Sequence, residues 1–370
     1  MTRPLRIVVS GAVEGAGGQG GAAWAVLQWV AGGAALGHEM RLVEELPFAT
    51  PDRLPGIDEI LRDASVECDA VAFESAAPPQ DQATAAALDW LRNADLLINL
   101  AGTLRTPASE VVPRRLFVDL DPGYTQSWHQ AGHDLGIERH THHATVGLAI
   151  GRSDCPVPTL GIDWIHCLPP VDLARWQPVP APSPMRLTTV GNWRSYGDVC
   201  VAGMPMRQKA HSMRELATLP SRAAMSIELA MAIHPEERAD LEWLTREGWL
   251  LIDPQVTCAR PSSYRSYIRG SAGEFGVTKH GYVASRCGWV SDRSACYLAS
   301  GRPVVIADTG AGAVLDHDGI IRFDAIDSAA DGIDCIARDW HRHSAGAIAF
   351  ARSELDAQSV VGAIVERAMS

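Results

Sequence analysis

"SDRSACYLASGRPVVIADTG", residues 291–310, packs a helix start, a helix stop and a buried strand into one short run. Ser291, Asp292, Arg293 and Ser294 supply a cap and a first turn, and Gly301 closes the helix. Val304-Val305-Ile306-Ala307 then reads as a strand buried on both faces, ending on Asp308 and a glycine turn. A short helix leading into an all-apolar strand is half of a parallel βα unit. Its start gathers free backbone N–H groups, two hydroxyls and a guanidinium, a combination suited to an anion.

The same alternation runs through the rest of the chain. "RIVVSGA" (6–12), "HEMRLVEE" (38–45), "DAVAFE" (69–74), "DLLINLAG" (95–102), "RLFVDLD" (115–121) and "DWIHCLP" (163–169) are expected strands separated by helical patterns. "GGAAWAVLQWVAGGAALG" (20–37) is the first helix. "WQPVPAPSPM" (176–185) has four prolines in ten residues and cannot be helix or central strand. A strand, "MRLTTVGNW" (185–193), follows it, and the βα alternation restarts, with helices expected near 208–218 and 235–247 and strands near 249–252 and 303–307. The fold class expected is α/β, with two Rossmann-like domains facing a central cleft. Their expected extents are 1–176, a linker over 177–184, and 185–349, followed by a C-terminal helix over 350–370.

Composition narrows the function. The 370 residues are 46% hydrophobic and 21% charged, an ordinary globular balance. A net charge of −12 argues against nucleic acid or an anionic membrane as the main partner. Eight cysteines without a C-x-x-C pair fit reduced thiols. The apolar run near the N-terminus is too short for a signal peptide, and no stretch approaches the about 18 apolar residues of a membrane helix. A cytoplasmic protein is the expectation. Of 32 basic residues only Lys209 and Lys279 are lysine, so each is a candidate for a specific role.

The loop "GAVEGAGGQGG" (11–21) lies between the first strand and first helix, where glycines let backbone approach a ligand. As a dinucleotide fingerprint it fits loosely, with Glu44 and Glu45 near the position that would hold a ribose. Tight strand–helix packing without a ligand is the alternative.

Taken together, these segments resemble the GT-B glycosyltransferases, especially the retaining group that includes sucrose and glycogen synthases. That group follows a glycine-rich loop with a helix and a "GHEV"-like strand, here Gly15–Gly21 and Gly37-His38-Glu39-Met40. Its "NGVDLERFRP" is matched by "PPVDLARWQP" (169–178). Its "VGR" and following lysine are matched by "TVGNWRSYG" (189–197) and Lys209, and its "EAMACGTPVV" by "ACYLASGRPVV" (295–305). Cys296 stands where the group has a ribose-holding glutamate. "GEFGVTKHGY" (273–282) is similar to the group's "EGFGL" but lies farther upstream, so Glu274 is either displaced or does another job.

The resemblance implies a sugar moved from a nucleotide-diphosphate donor, UDP or GDP, to a small-molecule or glycan acceptor. No bound cofactor or metal is expected, nor nucleic acid or stable membrane association, and a homodimer is left open. Donor-binding candidates are Gly17, Gly18, Gly20, Glu274, Lys279, Ser291, Asp292, Arg293 and Ser294, with Asp292 replacing the missing glutamate. Arg194 and Lys209 add positive charge for catalysis. Asp121, after a parallel strand, could take the acceptor's proton or cap the helix that follows. Asp119, Gln126 and His143 are acceptor-side candidates. His133, His140, His142 and His143 cluster, but no carboxylate or cysteine completes a metal site. An epimerase or NAD(P)-dependent oxidoreductase on a Rossmann-like fold, or a sugar-binding protein without turnover, are the other readings.

Overall fold

Seven strands form a parallel sheet in the first half of the chain, in the order β3-β2-β1-β4-β5-β6-β7. They are β1 (Arg6–Ser10), β2 (Glu39–Leu46), β3 (Asp69–Glu74), β4 (Leu96–Leu100), β5 (Arg115–Asp119), β6 (His142–Thr145) and β7 (Ile165–His166). The second half holds β8 (Arg186–Asn192), a hairpin of β9 (Val199–Val201) and β10 (Met204–Met206), then β11 (Ser226–Ala232), β12 (Leu250–Ile252), β13 (Gly273–Gly276), β14 (Val304–Ala307) and β15 (Ile320–Phe323). Apart from the hairpin these pair in parallel in the order β12-β11-β8-β13-β14-β15. In this computed structural model, residues 3–47, 56–78 and 80–370 are described.

Each sheet is covered by helices on both faces, so central strands are apolar throughout rather than alternating. All five residues of β4 are buried. The first helix, Gly20–Ala35, is buried at ten positions spread around its circumference. It lies between the first sheet, the helix Pro261–Arg269 and the last helix, Ala357–Met369. Trp24 donates its indole N–H to the Pro261 carbonyl at 2.9 Å, and a Cβ on Gly32 would sit 2.5 Å from the Ala357 carbonyl. The glycine is what lets the last helix come this close.

No strand pairs across residues 177–184 among the described residues. The segment is held by Arg302, only 1% exposed, whose guanidinium donates to the carbonyls of Val179, Pro180 and Arg269. The arginine of "SGRP" therefore binds backbone. The helix expected over 350–370 is interrupted: Trp340–Phe350 runs on through a π-helical turn, Ala351–Leu355, and Ala357–Met369 starts anew. Val171 accounts for the break, because its N–H donates to Leu355 and its carbonyl accepts from Ala357, drawing those groups out of a continuous helix.

Candidate active site

The C-terminal ends of β8 and β11 and the start of the helix Asp292–Ala299 form one wall of a cavity of about 240 Å³. This is where open parallel sheets bind ligands. Val190, Gly191, Asn192, Gln255, Tyr264 and Arg293 belong to that wall. Ser291 caps the helix, its hydroxyl accepting from the Arg293 N–H at 3.2 Å, and Asp292 and the buried Ser294 complete the first turn.

Arg293 is 8% exposed and fixed in direction. Its Nε donates to Glu274 at 2.5 Å and its Nη1 to the Val190 carbonyl at 2.8 Å. Burial works against the charge, but Glu274 more than offsets it and the guanidinium stays protonated. Glu274 is fully buried on β13, and its other oxygen has no partner. It holds Arg293 and does not reach the cavity surface, so the ribose role considered for it is not what this geometry offers.

Lys209 begins the helix Lys209–Glu215 and is buried, yet its ammonium makes no hydrogen bond or ion pair with any described residue. It lies over Gly191: a Cβ there would be 2.5 Å from Lys209 Nζ and 3.8 Å from Arg293 Nη1. Burial, followed by the Arg293 and Lys279 charges, pushes the ammonium well below the usual lysine range, with Glu274 and Asp292 opposing. Asp292 is raised by burial, against the pull of Arg293 and the helix N–H groups. Two basic groups thus lie beside two carboxylates, Glu274, already bonded to Arg293, and Asp292 at the cavity wall.

The opposite wall is the start of the first helix: Gly18, Gln19, Gly21 and Ala22. Gln19 provides no side-chain cap, and of the first N–H groups Gly20 donates to Cys258 and Ala22 and Ala23 to the Gln19 carbonyl, while Gly21 makes no such bond with any described residue. The glycines before it serve other contacts. Gly17 closes a turn on Glu14, Gly18 (φ +73°) has no room for a Cβ beside Gln255, and Gly20 donates to the Cys258 carbonyl at 2.9 Å. Glu44 does not face a ribose. Its buried carboxylate accepts from the N–H groups of Val13, Glu14 and Gly15 at 2.7–2.9 Å, so the loop already holds an internal anion.

Other candidates lie elsewhere. Arg194 pairs with Glu237 at 2.5 Å, 40% exposed, outside the cavity lining. Asp121 follows β5 and meets the second half of the chain: Lys279 Nζ is 2.9 Å away, and the Tyr196 and Tyr282 hydroxyls also donate to it. Lys279 is lowered by burial and supported by Asp121, and it lies over the rings of Tyr124, Tyr196 and Tyr282. It is thus bound to Asp121 and absent from the cavity lining. Asp119 and Gln126 are fully buried and bonded to each other at 3.0 Å, with Thr125 and Thr145 also donating to Asp119. His143 bonds the Ile137 carbonyl and packs against Trp164. These three are turned into packing, not toward the cleft. Among the described residues no three His, Cys, Asp or Glu side chains gather as a metal site. No described helix is long and apolar enough to cross a membrane.

Sequence reasoning passed over Gly191, Gln255 and Tyr264 in the cavity wall, and Tyr196 and Tyr282 around Lys279. Only Gly191 carried a signal, as the glycine ending a strand in "TVGNW".

No protein-family model and no curated protein matches the chain. Solved structures do. An alpha-glucosyltransferase in complex with UDP superposes with a TM-score of 0.66 at 14% identity, over 99% of this chain and 100% of that one. The fold is GT-B. AviGT4, a glycosyltransferase involved in avilamycin A biosynthesis, gives 0.55 at 14% identity over 99% of this chain and 97% of its own. Sucrose-phosphate synthase from Thermosynechococcus elongatus gives 0.56 at 14%, over 99% and 98%. The two sheets and the cavity between them correspond to the two GT-B domains and their cleft.

Proposed function

We propose that the protein is a glycosyltransferase that moves a sugar from a nucleoside-diphosphate donor to a small-molecule or glycan acceptor. The observation that carries this reading is the pair of buried basic side chains Lys209 and Arg293, side by side over Gly191, with Arg293 held by Glu274 and Lys209 by no partner among the described residues. A diphosphate placed there gives Lys209 a partner and favours its charged form. The starts of the first helix and of the 292–299 helix face the same cavity and favour an anion. The alpha-glucosyltransferase structures that this fold resembles hold UDP or UDP-glucose.

In this reading the main catalytic term is electrostatic. Charge grows on the departing diphosphate as the glycosidic bond breaks, and Arg293 and Lys209 are fixed where it develops. Two protein cations can do this without a divalent ion. Retention of anomeric configuration belongs to the reading through the resemblance to the retaining group. Asp121 has its oxygens taken by Lys279 and two tyrosines, so in this arrangement it positions the domains and is not free to accept a proton. A related alpha-glucosyltransferase structure contains DNA, but for this chain a net charge of −12 opposes that acceptor. The occupied glycine loop disfavours a dinucleotide oxidoreductase, because Glu44 fills the place a pyrophosphate would need.

The test is calorimetric titration with UDP and GDP. Arg293→Ala and Lys209→Ala should each weaken binding by roughly 1.5–3 kcal/mol, the range for hydrogen bonds to charged groups. Arg222→Ala, which breaks an exposed pair with Asp327, should leave it unchanged. Unaltered affinity in both cavity variants, with the fold intact, would remove the donor site.

A further inference from the structure

A second hollow, about 60 Å³, adjoins the first across Asp292. Trp29 from the first helix, Leu120 and Val146 beyond β5 and β6, Pro170, and Trp289 wall it, and Asp292 is the one charged residue among its lining. Asp292 also lines the larger cavity, so the two spaces share an edge. The walls are preformed. Trp29 is 1% exposed, and Trp289 stacks on Tyr282 at 4.4 Å between ring centroids and is bridged through its backbone to Gly147.

Size and lining define what fits. A dry cavity of about 150 Å³ takes a benzene ring, so this one admits a methyl group or a little more, and no ring. The lining is mostly apolar, with Asp292 its one charged side chain. Away from Asp292 a methyl group meets apolar walls, whereas a hydroxyl there would give up its water for them.

We propose that this hollow is a specificity pocket for the donor, and that the transferred sugar presents an apolar carbon to it, as a 6-deoxyhexose does with its methyl group. The inference rests on the donor site described above, since Asp292 is the shared edge. It makes the wall residues determinants of which sugar is transferred, separate from the cations that hold the diphosphate. One methylene-sized difference in such a pocket is worth roughly 10–200-fold in discrimination.

The test compares matched donors by calorimetry: UDP-glucose with UDP-6-deoxyglucose, and GDP-mannose with GDP-6-deoxymannose, each beside the free nucleoside diphosphate. The deoxy member of the pair on the accepted nucleotide should bind at least about tenfold more tightly. Ala25 lies on the hollow's helical wall, and Ala25→Leu should fill it, removing that preference while UDP or GDP affinity stays unchanged. Val146→Ala enlarges the same space and should weaken the preference from the other side, which guards against a folding defect in the first variant. Equal binding of the paired donors, or a preference that survives Ala25→Leu, would overturn the pocket even if the diphosphate site stands. Failure of UDP and GDP to bind at all would instead fail the donor reading.

Discussion

Lys279 and Asp121 belong to different domains and meet at 2.9 Å, with the ammonium enclosed by the rings of Tyr124, Tyr196 and Tyr282. The pair is mostly shielded from water, at 16% and 22% side-chain exposure. Removing one partner leaves the other charge poorly solvated, so Lys279→Ala and Asp121→Ala should each destabilise the protein by about 2–4 kcal/mol. The double variant should cost less than the sum, with a coupling of about 1–3 kcal/mol. Urea denaturation of the four proteins measures it, and strict additivity would show that the contact contributes nothing.

Lys209 makes nucleotide affinity depend on pH. In the empty site its pKa is depressed by burial and by Arg293, so the amine loses its proton well below the ordinary lysine value. A diphosphate favours the charged form. Binding therefore takes up a proton above the depressed pKa, and affinity should fall as pH rises, by at most about tenfold per pH unit. Calorimetry in buffers of different ionisation enthalpy should register the uptake, and Lys209→Met should abolish it. The sign for stability is the opposite. Between the depressed value and the unfolded value of 10.5 the unfolded chain holds more protons, so Lys209 makes the empty protein gain stability with rising pH in that window.

Glu44 replaces solvent for three consecutive backbone N–H groups. Glu44→Ala leaves them without an acceptor and should cost about 2–3 kcal/mol in thermal or urea unfolding. Glu44→Gln, which keeps one oxygen, should fall between. If the alanine variant melts like the parent, the loop does not depend on this anchor.

His140 should weaken the fold in mild acid. Its Nδ1–H donates to the Gly136 carbonyl at 2.7 Å and its Nε2 accepts from Asn99 at 3.1 Å, a neutral tautomer assigned from these bonds. Burial lowers its pKa from 6.5 to about 4. The unfolded chain takes up this proton below pH 6.5 while the native one does not, so stability should drop as pH falls through that interval, by at most about 1.4 kcal/mol per unit. His140→Gln should flatten the slope.

The architecture was legible because both signals that define it are local. Apolar runs separated by helical patterns mark parallel strands, and four prolines near residue 180 mark the passage between sheets. Some strands escaped, among them the seven-residue β11 and the short β13. β13 is four residues with a glycine at each end, and its reason is three-dimensional: a Cβ on Gly273 would sit 2.4 Å from the Pro303 carbonyl. The candidate site was legible in part. Lys209 stood out as one of two lysines and Arg293 as a helix-start cation, and the structure brings them together over Gly191. Arg194 stood out by its place after the strand that holds Gly191, yet Glu237, distant in sequence, turns it aside. Which carboxylate meets which cation is decided by the packing of the two sheets, and no spacing in the chain records it. Glu44 and Arg302 make the same point, since both are charged residues whose partners are backbone groups.

The crossing of the last helix onto the first has a consequence for synthesis. Gly32 is shaped to receive Ala357, and Val361 belongs to the same core as Trp24 and Trp29. While the ribosome still holds residues 357–369, that flank of the first helix has no cover, although the remainder of its domain emerged long before. Domains generally fold in order of appearance; this one can begin early but can complete its packing only after residues 357–369 have emerged. A nascent chain stalled just short of them should therefore be a substrate for holding chaperones and for proteases, and the protection of its first helix should date the emergence of residues 357–369.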